Sequence, residues 1–421
     1  MKKRLTTVMV LFGLISGPSL AVESIIITAD RMLDVVDGKM ISPAVIVVEG
    51  DTITAVNPRS VPGGGEQIDL GDMTLLPGLI DVHYHFNAPY ETVPLDMFQR
   101  TVPYSTLTAM NQARTKLLQG FTTIRMVGAF DYIDVALARA GDEGLVDVPR
   151  IFAGGHMISM TGGHADVTTG YSPDHESNYR DGIADGVPEL LKAVRYQIKH
   201  GATWIKVMAT AGVASQSTLI GAQQYSFEEL RAIVGEAARA GINVAAHAHY
   251  EPGLGDAVRA GVASIEHGSL ASMESLAEMK QRGTFMVMTA NGINMWKASG
   301  KYDELPEYMQ RKFDYVEAGL YETMQSVVDM GVKVAFGTDV AAQYGNREFA
   351  LYVEQFGMLP LRAIRTATTD AAELLEVTDR AKLEVGLLAD VVAVPGNPLD
   401  NIKALEDVRF VMKGGQVYKQ P

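Results

Sequence analysis

Short apolar runs alternate with amphipathic stretches through the middle of the chain. Each run is followed by a helical pattern, as at 226–240, where Ser226 before two glutamates marks a helix start and Gly241 marks its end. The runs of strand character lie at 121–127, 150–153, 203–208, 242–247, 263–267, 284–288 and 333–337. With a further apolar strand at 75–83, the pattern predicts eight βα units, the number found in a (β/α)8 TIM barrel.

Both ends of the chain show a different pattern, made of short β-branched runs separated by glycine, proline and aspartate. Such runs lie at 24–28, 44–48, 52–56, 390–394, 408–412 and 416–419. We therefore predict a small β-sandwich domain formed from 22–75 and 376–421, attached to a metal-dependent (β/α)8 barrel catalytic domain at 76–375.

The first 21 residues have the pattern of a signal peptide. Lys2-Lys3-Arg4 is a basic start, 5–15 is an apolar run, and Ser19 and Ala21 are small residues before a cleavage point. A membrane anchor is the alternative, but the apolar run is shorter than the roughly 20 residues that span a bilayer. We expect a secreted protein, located in a bacterial periplasm.

The amino-acid composition and net charge exclude several classes of function. The fractions of apolar residues (47%) and charged residues (20%) are those of a globular protein. A net charge of −14 provides no electrostatic basis for binding nucleic acid. The absence of cysteine excludes disulfides, thiolate zinc sites and a cysteine nucleophile.

The first candidate for chemistry is the His-x-His pair that ends Leu76-Pro-Gly-Leu-Ile-Asp-Val-His-Tyr-His85. Alternate residues of a strand point to the same face, so the Cβ atoms of His83 and His85 lie roughly 6.6 Å apart on one side. Neutral imidazole is the commonest metal-binding side chain. The pair predicts a metal site, with two core histidines as the alternative.

Polar residues also end four later strands of the pattern. Lys206 is flanked by apolar residues, His267 ends the sixth strand and Asp339 follows the eighth. His247 and His249 both end the fifth strand and share a face, so position alone does not select between them. Since a barrel carries its catalytic groups at the carboxyl ends of its strands, these side chains are expected to meet.

Together these motifs resemble the amidohydrolase superfamily, and within it the imidazolonepropionase-like branch. That branch includes Xaa-Pro dipeptidases, carboxypeptidases of short peptides and hydrolases that cleave the amide of ochratoxin A. The resemblance covers nearly the whole chain after residue 21. It rests on Pro77-Gly-Leu-Ile-Asp-Val-His83-Tyr-His85, Ile205-Lys206-Val207, His247, Ile265-Glu-His267-Gly and Gly337-Thr-Asp339.

The resemblance implies two divalent metal ions, with zinc as the default for such ligands. The implied ligands are His83, His85, Lys206, His247, His267 and Asp339. The two histidines of the first strand and the aspartate would hold one ion, and the two later histidines the other. The lysine would be carboxylated and would bridge them, which would also explain a buried lysine at a strand end.

The resemblance also implies catalytic roles. Asp339 would carry a proton between the attacking water and the leaving nitrogen. His164, in Met160-Thr-Gly-Gly-His164, and Tyr250 resemble the carbonyl-contacting residues of the dipeptidase branch. The alternative for His164 is a role in stabilising its loop.

The relatives share a leaving group that is an amino acid with a free α-carboxylate. Arginine suits bidentate recognition of such an anion, and Arg125, Arg180 and Arg347 are the candidates, although each could equally form a structural ion pair.

The implied function is a hydrolase of amide or peptide bonds that releases a C-terminal amino acid from dipeptides or N-acyl amino acids, ochratoxin A included. One alternative is a cyclic-amide hydrolase or deaminase, but one-metal members usually lack the lysine found here as Lys206. The second alternative is a non-catalytic binding protein on the same fold. Such a protein would be expected to lack some of the metal ligands, whereas the full set is present here. We expect a small-molecule or dipeptide substrate, no nucleic acid, no membrane span and a homo-oligomer.

Overall fold

The computed structural model describes residues 24–61, 63–86, 100–216 and 219–421. The predicted signal peptide at 1–21 lies outside these residues. The described chain begins with eight strands: β1 (Ser24–Ala29), β2 (Arg31–Asp34), β3 (Lys39–Ile41), β4 (Ala44–Glu49), β5 (Thr52–Val56), β6 (Glu66–Asp69), β7 (Met73–Pro77) and β8 (Leu79–Tyr84).

Helices and strands then alternate. The alternating part consists of α1 (Val102–Leu118), β9 (Phe121–Met126), α2 (Ile133–Asp142), β10 (Arg150–Phe152), α3 (Gly186–Lys199), β11 (Ile205–Met208), α4 (Phe227–Arg239), β12 (Val244–Ala248), α5 (Gly253–Ala260), β13 (Ser264–His267), α6 (Met273–Arg282) and β14 (Phe285–Val287). The remaining elements are α7 (Asn291–Ala298), α8 (Glu307–Met330), α9 (Glu348–Glu354), α10 (Pro360–Thr366), α11 (Thr369–Leu374), β15 (Val391–Pro395), β16 (Phe410–Lys413) and β17 (Gln416–Lys419).

Strands β8 to β14 form two parallel sheets, in the orders β10-β9-β8 and β11-β12-β13-β14. Hydrogen bonds connect the two sheets, since the amide of Ile158 donates to the carbonyl of Lys206 over 2.8 Å and that of Thr203 to Ala153 over 2.8 Å. Parallel neighbours in chain order place the carboxyl ends of all these strands on one side, where the candidate site residues follow.

The predicted eighth strand at 333–337 is not a regular strand. Its one bridge pairs Val334 with Met286. The carbonyl of Phe336 accepts from Val82 of β8, but its amide donates to Thr366 of α10 rather than continuing a ladder. Among the described residues, the assigned strands therefore form two parallel sheets and not one closed eight-stranded sheet.

The predicted strand at 75–83 is divided at Gly78. β7 pairs with β15 and β2, whereas β8 pairs with β9, so the chain passes from one sheet to another at this glycine. A Cβ atom at Gly78 would lie 2.2 Å from Thr122 Oγ1, so a side chain is sterically excluded.

The two ends of the chain meet in one sheet, of order β17-β16-β15-β7-β2-β3. A second sheet, β5-β4-β1-β6, comes from the N-terminal part alone. Side chains of both sheets share one hydrophobic cluster that includes Ile27, Ile46, Leu75, Val391 and Phe410. No helix within the described ranges has the length and apolar character needed to cross a bilayer.

Candidate metal centre

A cavity of about 510 Å³ lies at the carboxyl ends of the parallel strands. Six of the residues that line it were predicted from the sequence to act at the site or beside it, and they are His85, His164, Lys206, His247, His267 and Asp339. His249 also lines the cavity, and His83 lies directly behind His85 with ring centroids 5.3 Å apart.

His83, His85 and Asp339 converge on one point. One ligand atom from each lies within 4.8 Å of the other two. Asp339 Oδ1 is 3.7 Å from His83 Nε2 and 3.9 Å from His85 Nε2. Donor atoms that each lie about 2.0–2.1 Å from one zinc ion are separated by roughly 3–4 Å, so the spacing suits a shared ion.

Hydrogen bonds orient both imidazoles toward Asp339. His83 Nδ1 donates to Glu266 Oε2 over 2.6 Å, and His85 Nδ1 donates to the carbonyl of Gly128 over 2.9 Å. Each Nε2 therefore presents a lone pair to the shared point. Burial, assisted by the Lys206 charge, lowers the pKa of His85 to about 4 and the pKa of His83 well below its usual range, so both rings are neutral.

Glu266 is a site residue for which the sequence analysis gave no role. Its Oε1 accepts from Arg125 Nη2 over 2.8 Å and from the Ser264 hydroxyl, while its Oε2 holds His83. The guanidinium of Arg125 also stacks on the Trp204 ring, 4.5 Å from its centroid. A carboxylate inside a buried strand needs such partners, and that pattern is visible in the sequence of β13.

We expect Glu266→Gln to weaken metal binding by about 10- to 100-fold, since a carboxylate that orients a ligating histidine contributes that much. Metal affinity is measured by competition with a chromophoric chelator. Glu278→Gln, which removes a carboxylate from a surface pair with Arg282, is the matched control. Equal metal affinities in the two variants would contradict an orienting role for Glu266.

Three buried nitrogen atoms around the site have no hydrogen-bond partner within the described residues, and they are His83 Nε2, Lys206 Nζ and His247 Nε2. Leaving a buried polar atom unpaired costs about 1–3 kcal/mol, so three at one place indicate groups that the polypeptide does not supply. Metal ions fit this donor set of imidazole, carboxylate and amine.

Lys206 lines the cavity and is 2% exposed, and, next to burial as the larger cause, its charge lowers the pKa values of His83 and His85 and of His247 and His267. Burial lowers the pKa of its amine to about 8, against the opposing effect of the Glu266 and Asp339 carboxylates. The lowered pKa increases the share of neutral amine, which is the nucleophilic form that carboxylation requires.

The second histidine group consists of His247, His249 and His267. The ring centroid of His247 is 4.7 Å from that of His267, and His249 stacks on His267 at 5.1 Å. His267 Nδ1 and the Thr289 hydroxyl are 2.7 Å apart, and His249 Nδ1 lies 3.1 Å from the Ser269 hydroxyl. The Nε2 of His247 is buried without a hydrogen-bond partner among the described residues, as a ligating nitrogen would be before its metal binds. The choice of His247 over His249 as the ligand stays a prediction.

His267 and Asp339 both have left-handed backbone conformations, with φ of 73° and 49°. Such residues cost about 1–3 kcal/mol each and concentrate at functional sites. His267 is the last paired residue of β13, and Asp339 follows the irregular segment 333–337, so each left-handed residue lies where the chain turns away from the parallel strands, and both line the cavity.

His164 reaches the cavity from the long loop after β10. Its ring stacks on His247 with centroids 4.2 Å apart, and its Nδ1 lies 2.7 Å from the Ser215 hydroxyl. Burial lowers the pKa of His164 to about 3, with the His249 and Lys206 charges as smaller causes. The ring is thus a neutral imidazole at the cavity wall.

Tyr250 does not reach the cavity. The residue is 47% exposed, lies in the bend that follows β12, and packs against Gly221.

The three arginines predicted to bind a carboxylate do not line the cavity either. The guanidinium of Arg125 forms a buried ion pair with Glu266 and does not face the cavity. Arg180 is exposed beside Tyr179, and Arg347 lines a separate cavity of about 240 Å³. Within the described parts of the chain, Lys206 is the only lysine or arginine of the main cavity wall.

The rest of the wall is largely apolar. Part of it comes from α7, α8 and the segment between them, with Trp296, Leu305, Tyr308, Met309 and Phe313. Phe86, Phe130 and Tyr171 contribute further aromatic rings to the lining. The cavity therefore combines polar groups that suit metal binding with a largely apolar and aromatic lining.

A family profile, a curated relative and solved structures all relate this chain to the same protein family. The profile of the amidohydrolase family matches residues 74–418. Ochratoxinase from Aspergillus niger is 34% identical over 373 residues, covering 82% of this chain and 76% of the relative.

Solved structures agree with this relationship. A Xaa-Pro dipeptidase with bound methionine in the active site superposes with a TM-score of 0.87 at 34% identity, covering 94% of this chain and 100% of the other. A prolidase complexed with N-methylphosphonate-L-proline gives a TM-score of 0.85 at 32% identity, with 94% and 100% covered. The family predicted from the strand-end motifs is confirmed, and the chain belongs to the amidohydrolase family.

Proposed function

We propose that this amidohydrolase is a binuclear metal-dependent hydrolase that releases a C-terminal amino acid from dipeptides or N-acyl amino acids. The observation that carries the proposal is the buried Lys206 amine, which has no hydrogen-bond partner among the described residues and lies in a cavity lined by histidines of both groups. Relatives named ochratoxinase and Xaa-Pro dipeptidase support an amide or peptide bond as the target.

The proposed architecture is a (β/α)8 barrel with a small β-sandwich domain. Parallel strands β8 to β14 are consecutive neighbours within their two sheets. Residues 333–336 hydrogen-bond to Met286 on one side and to Val82 on the other, which is where an eighth strand would complete the ring. The two terminal sheets share one apolar cluster, as the layers of a sandwich do.

We assign one metal ion to His83, His85 and Asp339 and a second to His247 and His267, with Lys206 as a carboxylated bridge. Zinc is the preferred identity for imidazole and carboxylate ligands. When bound, two such ions lower the pKa of an attacking water and polarise the scissile carbonyl.

The chain's own groups complete the reaction. The carboxylate of Asp339 accepts a proton from the attacking water and delivers it to the leaving nitrogen. His164, a neutral imidazole at the cavity wall, donates a hydrogen bond to the carbonyl oxygen as negative charge develops there. Trp296 and Phe313 face bulky apolar groups of the substrate and exclude water from it.

The free carboxylate of the leaving amino acid distinguishes this function from that of a general amidase. Since none of the predicted arginines lines the cavity, we propose that hydrogen-bond donors of the wall, such as Gln216, Tyr171 and Tyr308, contact the substrate carboxylate.

The basic and apolar start of the chain supports export to a bacterial periplasm.

The test compares an acyl-phenylalanine with its C-terminal amide. We expect amidation to lower kcat/KM by about tenfold or more, because a hydrogen bond to a charged group is worth roughly 1.5–3 kcal/mol. The N-acyl group itself should be tolerated. Equal kcat/KM for acid and amide would instead identify a general amidase.

A further inference from the structure

We propose that Ser215 is a positioning residue that fixes His164 in the tautomer whose Nε2 carries the proton. The proposal rests on the proposed function, in which His164 donates to the scissile carbonyl. Ser215 lies in the loop between β11 and α4, far from His164 in sequence, and is 6% exposed. Nothing in the sequence motifs pointed to it.

The hydrogen bonds of the Ser215 hydroxyl determine the direction of its proton. A hydroxyl has one proton to donate and two lone pairs that accept. The amide of Gly212 donates to Ser215 Oγ over 2.9 Å, and His164 Nδ1 lies 2.7 Å from the same oxygen. These are its two partners in the part of the chain that the structure describes, so Nδ1 is the acceptor available for the hydroxyl proton.

The main chain around Ser215 is held in place independently. Lys312 of α8 is buried, and its Nζ donates to the carbonyl of Ser215 over 2.6 Å. The amide of Ser215 donates back to the carbonyl of Gly212 over 3.3 Å, which closes a turn. The turn lies directly against the imidazole, since a Cβ atom on Gly212 would come within 2.6 Å of His164 Cε1.

The tautomer decides what His164 offers to the cavity. With Nδ1 accepting from Ser215, the proton is on Nε2, the ring nitrogen that remains for a ligand. The other tautomer would present a lone pair to the carbonyl oxygen, and two acceptors repel each other. Ser215 therefore makes His164 a donor before substrate arrives, which is the preorganisation that stabilises a developing oxyanion.

The experiment measures the tautomer and the kinetics of the same variants. The full chain loaded with zinc is labelled with 15N at histidine, and the signals of His164 are identified by their loss in His164→Asn. Ser215→Ala removes the hydroxyl, Ser215→Thr retains it, and Ser275→Ala removes a buried hydroxyl of α6 that does not line the cavity.

We expect wild type, Ser215→Thr and Ser275→Ala to show an unprotonated Nδ1 and a protonated Nε2 at His164. Ser215→Ala should show a mixture of tautomers, a kcat lower by roughly 5- to 10-fold, an unchanged KM and unchanged metal content. A protonated Nδ1 in wild type, or wild-type His164 signals in Ser215→Ala, would overturn the proposal. The tautomer is observed without turnover, so a protein with the expected tautomer that hydrolyses nothing would refute the proposed function and leave the role of Ser215 standing.

Discussion

Lys206→Ala is expected to abolish hydrolysis and to lower the metal content to at most one ion per chain. The amine of Lys206 is buried without a hydrogen-bond partner in the described structure, in a cavity that histidines of both groups line. If its carboxylated form bridges two ions, its removal deletes a ligand from both. The remaining ligands of the first ion, His83, His85 and Asp339, still converge and can retain one metal.

The free energy of unfolding distinguishes a metal-bridging role of Lys206 from a purely structural one. Since an unpaired buried amine destabilises the fold, Lys206→Met should leave the free energy of unfolding of the metal-free protein unchanged or higher. Lys333→Ala, which removes an amine from an exposed pair with Glu373, is the control for loss of a lysine. Elemental analysis that finds two ions in Lys206→Ala, together with near-normal turnover, would contradict the bridging role.

His164→Asn is expected to reduce kcat by about 10²–10³, the usual effect of losing one oxyanion donor. Two bound metals should remain, because His164 is committed through Nδ1 to Ser215 and is not one of the proposed ligands. The reduction should appear in kcat more than in KM, since the hydrogen bond strengthens as charge develops.

Two further variants serve as controls for the effect of His164→Asn on kcat. His156→Asn removes an imidazole that does not line the cavity and should have little effect on kcat. Tyr250→Phe should change kcat less than His164→Asn does, because Tyr250 is half exposed and lies outside the cavity wall. A His164→Asn enzyme with full kcat, or one that has lost a metal, would show that His164 has another role.

Much of the site follows from strand periodicity. The alternation of a strand placed His83 and His85 on one face, and the rule that barrel sites form at carboxyl strand ends brought Lys206, His267 and Asp339 together. The structure shows all of these residues at or directly behind one cavity.

Other features depend on tertiary contacts that local sequence does not encode. Ser215 and Lys312 contribute through a loop and a helix that meet only in the folded chain. The arginines failed to reach the cavity because sequence position near a strand end does not give side-chain direction, as Arg125 demonstrates by pointing to Glu266. The eighth strand was overpredicted because apolar composition at 333–337 does not reveal that the amide of Phe336 bonds to a helix.

The most direct measurement is the amount of phenylalanine released from an N-acyl-phenylalanine by the zinc-loaded protein, before and after removal of the metal by a chelator. We expect equal amounts of phenylalanine and free acyl acid from the loaded protein, none after chelation, and recovery when zinc is restored. Release that continues undiminished in the metal-free protein, or no release by a protein shown to hold two zinc ions, would contradict a binuclear amide hydrolase.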